Sequence, residues 1–249
     1  MERQRPSAYI AELLGTMLLV FAIGMILALD QVGSLGLGYV DFAVIGLVHV
    51  FVLAMLIHTL GGTSGAHFNP AVTAVMATLR KIAPIDAAIY VLMQLIGGIL
   101  GALLVHLLVK KAGAAVNYGA VGYHGQFLNG GTIKAFFAEL IGTFLLVWAI
   151  FGAAVNPKTE ASWAPWIIGG TLGMAVMILG PLTGAGFNPA RAFGPAVVGN
   201  AFDPTFIKWF FVYFIGPIVG AMIAGIGYTM LVLNPRHLQA EAMVEKLES

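Results

Sequence analysis

Apolar runs long enough to cross a bilayer recur six times, at about 8–29, 41–60, 85–109, 134–155, 164–182 and 206–233. Each reaches the roughly 18 residues that a spanning helix needs. Six is an even number, so the pattern predicts both termini on one side. Ordinary polar connections fall at 30–40, 110–133 and 156–163. The stretches 61–84 and 183–205 are different. Each holds a Gly-rich approach, then the triplet Asn-Pro-Ala, then a run free of helix breakers. Asn is a preferred N-cap and Pro a preferred first helical residue, so each triplet reads as a helix start. About ten residues at 1.5 Å rise give a helix of roughly 15 Å, half a bilayer. The predicted half-helices lie at about 69–80 and 188–198.

The chain also repeats. Ala11-Glu12-Leu13-Leu14-Gly15-Thr16 returns as Ala138-Glu139-Leu140-Ile141-Gly142-Thr143. Gly65 to Ala71 returns as Gly184 to Ala190, and Gly97 to Ala102 as Gly216 to Ala221, both at an offset of 119 residues. Three spanning helices per unit is odd, so the second unit must enter from the opposite face. The expected organisation is a first inverted repeat over 1–110, an inter-repeat loop over 111–133, a second repeat over 134–234 and a tail over 235–249. The fold class is an all-α membrane protein: six transmembrane helices, two half-helices and an inverted three-helix repeat. The half-helices would meet near the midplane with their positive N-terminal ends facing each other. Gly97 and Gly101, like Gly216 and Gly220, share one helical face and permit close helix approach.

Composition agrees with a membrane protein. Hydrophobic residues are 59% and charged residues 9% of the chain, against about 25% charged in a soluble domain. A formal net charge of +1 and the lack of a basic run argue against nucleic acid. There are no cysteines, which excludes disulfides and thiolate chemistry. The apolar run after Arg3 and Arg5 is too long for a signal h-region and reads as a retained helix. Basic residues favour the termini side (Arg3, Arg5, Arg80, Lys81, Lys158, Arg236, Lys246), which puts both termini in the cytoplasm. Which membrane holds the chain is open.

The chemistry concentrates at the half-helix starts. An N-capping Asn69 or Asn188 spends its side-chain oxygen on a backbone N–H, leaving its amide NH₂ free as a donor. Two such donors, with Pro70, Ala71, Pro189 and Ala190 around them, can hold a passing oxygen and turn its hydrogens outward. A proton wire breaks there, and two helix N-termini oppose cations. Arg191 follows one turn after Asn188, where the first copy has Val72. A lone intramembrane Arg is costly and reads as functional, with an interfacial snorkelling Arg as the bland alternative. Glu12 and Glu139 occupy equivalent places. A proton relay is one reading, and acceptance of hydrogen bonds from the irregular loops is the stronger one. His67, inside the first loop, is placed with them as loop support. No histidine pair has metal-ligand spacing, so no metal is expected. No nucleotide-binding or nucleophile motif occurs, so neither an enzyme nor a cofactor is expected.

Ser64-Gly65-Ala66-His67-Phe68-Asn69-Pro70-Ala71-Val72-Thr73 and Gly186-Phe187-Asn188-Pro189-Ala190-Arg191-Ala192-Phe193-Gly194-Pro195 resemble the two signature loops of the aquaporin, or major intrinsic protein, family. The resemblance covers about 8–233. It implies a channel in each subunit of a homotetramer, embedded in the lipid bilayer. It also implies a selectivity filter at His49, Val176, Ala185 and Arg191, by spacing from the two Asn residues. This set is similar to that of the tonoplast intrinsic proteins of plants, some of which add a loop His; the matching position here is His124. Val176 and Ala185 imply a filter wider and less polar than a strict water filter. The implied function is a passive water channel that excludes protons and ions, with ammonia as a second solute and urea, hydrogen peroxide and glycerol ranked below it. The alternatives are a facilitator of glycerol or other small neutral solutes and, further off, a secondary transporter.

Overall fold

A computed structural model of the chain describes residues 3–33, 39–123, 127–129 and 131–234. His124 and the tail 235–249 lie outside the described residues. Among the described residues, six long helices are apolar enough to cross a membrane. In chain order they are α1 (Pro6–Gly33), α2 (Tyr39–Ser64), α4 (Pro84–Ala115), α5 (Thr132–Val155), α6 (Ala164–Thr183) and α8 (Phe206–Leu233). Two short helices, α3 (Pro70–Thr78) and α7 (Pro189–Gly199), interrupt the series. No strand occurs among the described residues. The protein is thus an integral, multi-pass, all-helical membrane protein. Large apolar side chains such as Leu107, Leu108, Ile207 and Leu231 stand exposed on its outer surface, as a lipid-facing wall requires.

Glycine decides which helices meet. A Cβ on Gly97 would overlap the carbonyl of Leu13, and one on Gly220 the carbonyl of Leu140. Backbone-to-backbone approach therefore pairs α1 with α4 and α5 with α8. Gly46, Gly169 and Gly173 do the same for α2 against α6. The short helices cross over. Helix α7 packs on α4 and α3 on α8, so each is held by a long helix from the other half of the chain. The α7 contact is the tighter one, since a Cβ on Gly194 would fall on the carbonyl group of Gly98.

The starts of α1 and α4 are tied together by Asp86. This fully buried carboxylate accepts from Arg3 Nε at 2.8 Å, Tyr9 Oη at 2.7 Å and the Gln4 amide at 3.1 Å. The loops ahead of α3 and α7 pack just as closely. A Cβ on Gly15 would enter the ring of Phe68, and one on Gly142 the ring of Phe187. Each of these phenylalanines is the residue before a capping Asn, so two glycines in the long helices seat the two half-helix starts. Gly142→Val should therefore push Phe187 and the start of α7 out of place. We expect about 1–3 kcal/mol of lost stability from this overpacking, read as a lower unfolding midpoint in detergent.

Candidate functional site: a cavity at the meeting of two half-helices

Asn69 caps α3 and Asn188 caps α7, both from extended backbone. Asn69 Oδ1 accepts from Ala71 N at 2.9 Å. Asn188 Oδ1 accepts from Ala190 N at 3.0 Å and Arg191 N at 3.3 Å. Pro70 and Pro189 occupy the first helical position, where no N–H is wanted. The caps are also strapped to each other. Asn69 Nδ2 donates to the Phe187 carbonyl at 2.9 Å, and Asn188 Nδ2 donates to the Phe68 carbonyl at 2.8 Å. The amides are therefore not wholly free, as the capping argument alone suggested. Each retains one N–H after the strap is made. The reciprocal straps bring the N-terminal ends of both helix dipoles to one place.

The loops leading to these caps hold unusual backbone. Ala66 and Phe68 have φ of 52° and 47°, and Ala185 and Phe187 have 51° and 47°. Left-handed conformations at non-glycine residues are strained and need outside support. The support comes from two fully buried carboxylates. Glu12 accepts from the His67 amide at 2.9 Å, the Phe68 amide at 2.7 Å and Ser64 Oγ at 2.7 Å. Glu139 accepts from the Gly186 amide at 2.9 Å, the Phe187 amide at 2.6 Å and Thr183 Oγ1 at 2.6 Å. A trans peptide points its C=O opposite its N–H. Fixing these amides on the carboxylates therefore turns the carbonyls of Ala66, His67, Ala185 and Gly186 the other way.

A cavity of about 240 Å³ is lined by these loop residues, by Asn69 and Asn188, and by His49 and Arg191. Much of the remaining lining is apolar, from residues such as Leu19, Ile23, Leu53, Leu146, Ile168 and Leu172. The lining also includes Ala185, Lys81 and Val155. Val176 is 2% exposed and is buried in the apolar cluster that includes the lining residues Leu172 and Ala185. His124, outside the described residues, cannot be placed against it.

Arg191 is 2% exposed and donates from Nη1 to the Gly119 carbonyl at 2.7 Å, while its Nε has no protein partner. Gly119 closes a 3-10 turn, Asn117–Gly119, in which it has a φ of 93°. A Cβ there would come within 2.9 Å of Gly24 Cα, so the turn needs glycine to reach this depth. His49 is 3% exposed and its Nδ1 lies 2.8 Å from the Ile45 carbonyl. A carbonyl only accepts, so Nδ1 carries the proton; Nε2 has no partner.

Several supporting residues lay outside the sequence expectations. Gln94 Nε2 donates to Glu12 Oε2 at 2.7 Å and to Thr73 Oγ1 at 2.9 Å. Thr73 in turn meets His67 Nδ1 at 3.1 Å and donates to the Asn69 carbonyl at 3.1 Å. Tyr90 Oη and Tyr213 Oη donate to the carbonyls of Ser64 and Thr183, each at 2.8 Å. A lone Gln inside the apolar run 85–109 was a usable signal, because intramembrane polar residues seek partners. Gly119, in a loop, carried none.

Comparison with known proteins gives a consistent picture. The sequence pattern of the major intrinsic protein family matches residues 2–228. The chain is 36% identical to the probable aquaporin AqpM of Archaeoglobus fulgidus, over 90% of this chain and 96% of that protein. It is 37% identical to nodulin-26 of Glycine max, over 87% of this chain and 74% of that one. It is 33% identical to the probable aquaporin TIP2-2 of Arabidopsis thaliana, over 89% and 85% of the two chains. Among solved structures, the aquaglyceroporin from Plasmodium falciparum superposes with a TM-score of 0.74 at 23% identity, covering 92% of this chain and 97% of that one. That likeness is one of fold.

The carboxylates give this site its clearest test. Glu139→Ala leaves the amides of Gly186 and Phe187 buried without acceptors, each worth about 1–3 kcal/mol. We expect a loss of at least about 2 kcal/mol in detergent unfolding, with channel activity lost in the folded fraction. A variant as stable as the parent would show that the loop finds other partners.

Proposed function

The chain belongs to the major intrinsic protein family, and from that premise we propose that it is a passive water channel that excludes protons and ions. It is a channel-family protein and not an enzyme. The observation that carries the reading is the pair of strapped caps. Two half-helix N-termini meet there, and Asn69 and Asn188, each with one N–H beyond its strap, line a cavity that also has many apolar lining residues.

In this reading a water at the junction accepts hydrogen bonds from Asn69 and Asn188 through its oxygen. Its hydrogens then point along the path in both directions. Neither neighbour can pass a proton through it, because the central oxygen has no lone pair aimed along the file. The two helix dipoles add a positive potential that opposes hydronium and other cations. The apolar wall keeps water in a file without binding it, while the loop carbonyls replace part of its hydration. Arg191, which also lines the cavity, adds a second positive barrier. Ammonia is the second solute this path suits, since a neutral molecule with one lone pair can use the same donors. Urea, hydrogen peroxide and glycerol rank below it.

Two further parts of the proposal rest on the distribution of basic residues and on family resemblance. Both termini face the cytoplasm, and the chain works as a homotetramer with a path in every subunit.

Stopped-flow light scattering on proteoliposomes tests the reading. Water permeability should rise well above that of protein-free vesicles, with a low activation energy and no dependence on ions, while glycerol stays slow. Glycerol passing as fast as water would sink the water-selective reading. Arg191→Val removes one buried charge from the barrier. We expect water flux to persist and proton leak, followed by an internal pH dye, to rise by about an order of magnitude.

A further inference from the structure

A second pocket, of about 410 Å³, opens between the start of α1 and the end of α2, lined by Arg3, Gln4, Arg5, Ser7, Gly62 and Thr63. Its lining holds two guanidinium groups and two hydroxyls and, among the described residues, no carboxylate. Arg3 is held from behind. Its Nε donates to the fully buried Asp86 at 2.8 Å, while its side chain stays 58% exposed. A guanidinium carries five N–H donors, and the bonds to Asp86 and Tyr9 leave several of them unspent. Asp86 offsets the charge of Arg3 but takes no bond from Arg5, which is exposed. The described residues therefore leave the pocket with a net positive charge.

Apolar surface runs down from the pocket on both helices. Ser7 shares a face of α1 with Ile10, Leu14 and Leu18, by steps of three and four residues. These three side chains are 57%, 40% and 38% exposed. Thr63 shares a face of α2 with Thr59, Met55 and Phe51, all exposed. The two helices pack together, α1 leaving the pocket and α2 arriving at it. At 1.5 Å per residue, Leu18 lies about 16 Å and Phe51 about 18 Å from the pocket. That is roughly the depth of one leaflet in a hydrocarbon core of about 30 Å. The pocket thus stands at the polar boundary of the bilayer, with apolar surface of acyl-chain length directly beneath it. A free anion would use the cations and leave that surface idle; a phospholipid uses both.

We propose that this pocket binds the phosphate headgroup of an anionic phospholipid, whose acyl chains lie along the exposed faces of α1 and α2. Guanidinium forks match phosphate oxygens in pairs, and the hydroxyls of Ser7 and Thr63 donate to the oxygens that remain. Asp86 contributes by holding Arg3 in place before the lipid arrives. The proposal is independent of the channel reading, since no residue of the pocket lines the cavity.

The test titrates detergent-solubilised protein with dioctanoyl phosphatidylglycerol, dioctanoyl phosphatidylcholine or inorganic phosphate and follows the unfolding midpoint. Two substitutions probe the pocket while sparing Asp86 and Arg3. Arg5→Gln removes a charge. Gly62→Leu fills space, because a Cβ there meets nothing within 4 Å. Lys158→Gln, in the exposed loop after α5, is the control for diffuse surface charge. The anionic lipid should raise the midpoint of the parent saturably, and the other two ligands should not. The half-saturating lipid concentration should rise about fivefold in Arg5→Gln, the worth of one basic residue at a membrane surface. It should rise also in Gly62→Leu and stay unchanged in Lys158→Gln. No saturable shift in the parent, or an equal shift with phosphatidylcholine, overturns the proposal. So does Lys158→Gln weakening the response as much as Arg5→Gln, or neither pocket variant changing it. Inorganic phosphate that matches the lipid shows a free-anion site and overturns the lipid assignment.

Discussion

Irregular backbone at the depth of a membrane must have its N–H groups satisfied from within the protein. Here that constraint is met by two buried carboxylates, and most of the site follows from them. Glu12 and Glu139 each bind two successive amides of a loop and the hydroxyl at the loop's start. Holding the amides on one side fixes the carbonyls on the other. It also stabilises left-handed turns at Phe68 and Phe187, whose carbonyls receive the straps from the opposing Asn caps. One type of charged group, placed twice, thus sets the direction of the loop carbonyls, the orientation of the caps and the meeting of the two helix ends.

The two halves solve the same problem with different side chains. In the first, Gln94 and Thr73 link the carboxylate to the loop imidazole of His67 and to the start of α3. In the second, the positions matching His67 and Thr73 are Gly186 and Ala192. A Cβ on Gly186 would come within 2.8 Å of Glu139 Oε2, so no side chain fits there. Helix α7 is held instead by backbone contact between Gly98 and Gly194 and by the bond from Arg191 to Gly119. The symmetric parts are those that build the junction. The departures from symmetry include the His67 imidazole in the first loop and the Arg191 guanidinium after the second cap.

Much of this was legible in the chain. The six helices could be read from run length, because lipid-facing helices need apolar residues on nearly every face. The half-helix starts could be read from Asn-Pro-Ala, because capping chemistry is local. The roles of Glu12 and Glu139 were harder, since a carboxylate near a helix end fits both a relay and a structural acceptor; the hydrogen bonds to His67, Phe68, Gly186 and Phe187 favour the acceptor. The carbonyl contacts of the tyrosines could not be read there. The 119-residue offset pairs Tyr90 with Trp209 and Gln94 with Tyr213, so comparison of the halves conceals that Tyr90 and Tyr213 bind equivalent carbonyls. The straps between Asn69 and Phe187, and between Asn188 and Phe68, join residues 118 and 120 positions apart, and no local pattern announces them.

The central claim is that two strapped caps let water through while breaking the path for protons. Proton conductance and osmotic water permeability measured on one preparation of proteoliposomes, with the membrane potential clamped by a potassium ionophore, test it most directly. The account predicts water permeability far above that of protein-free vesicles, with proton conductance indistinguishable from theirs. Proton conductance that rises in step with water permeability as more protein is reconstituted would contradict it.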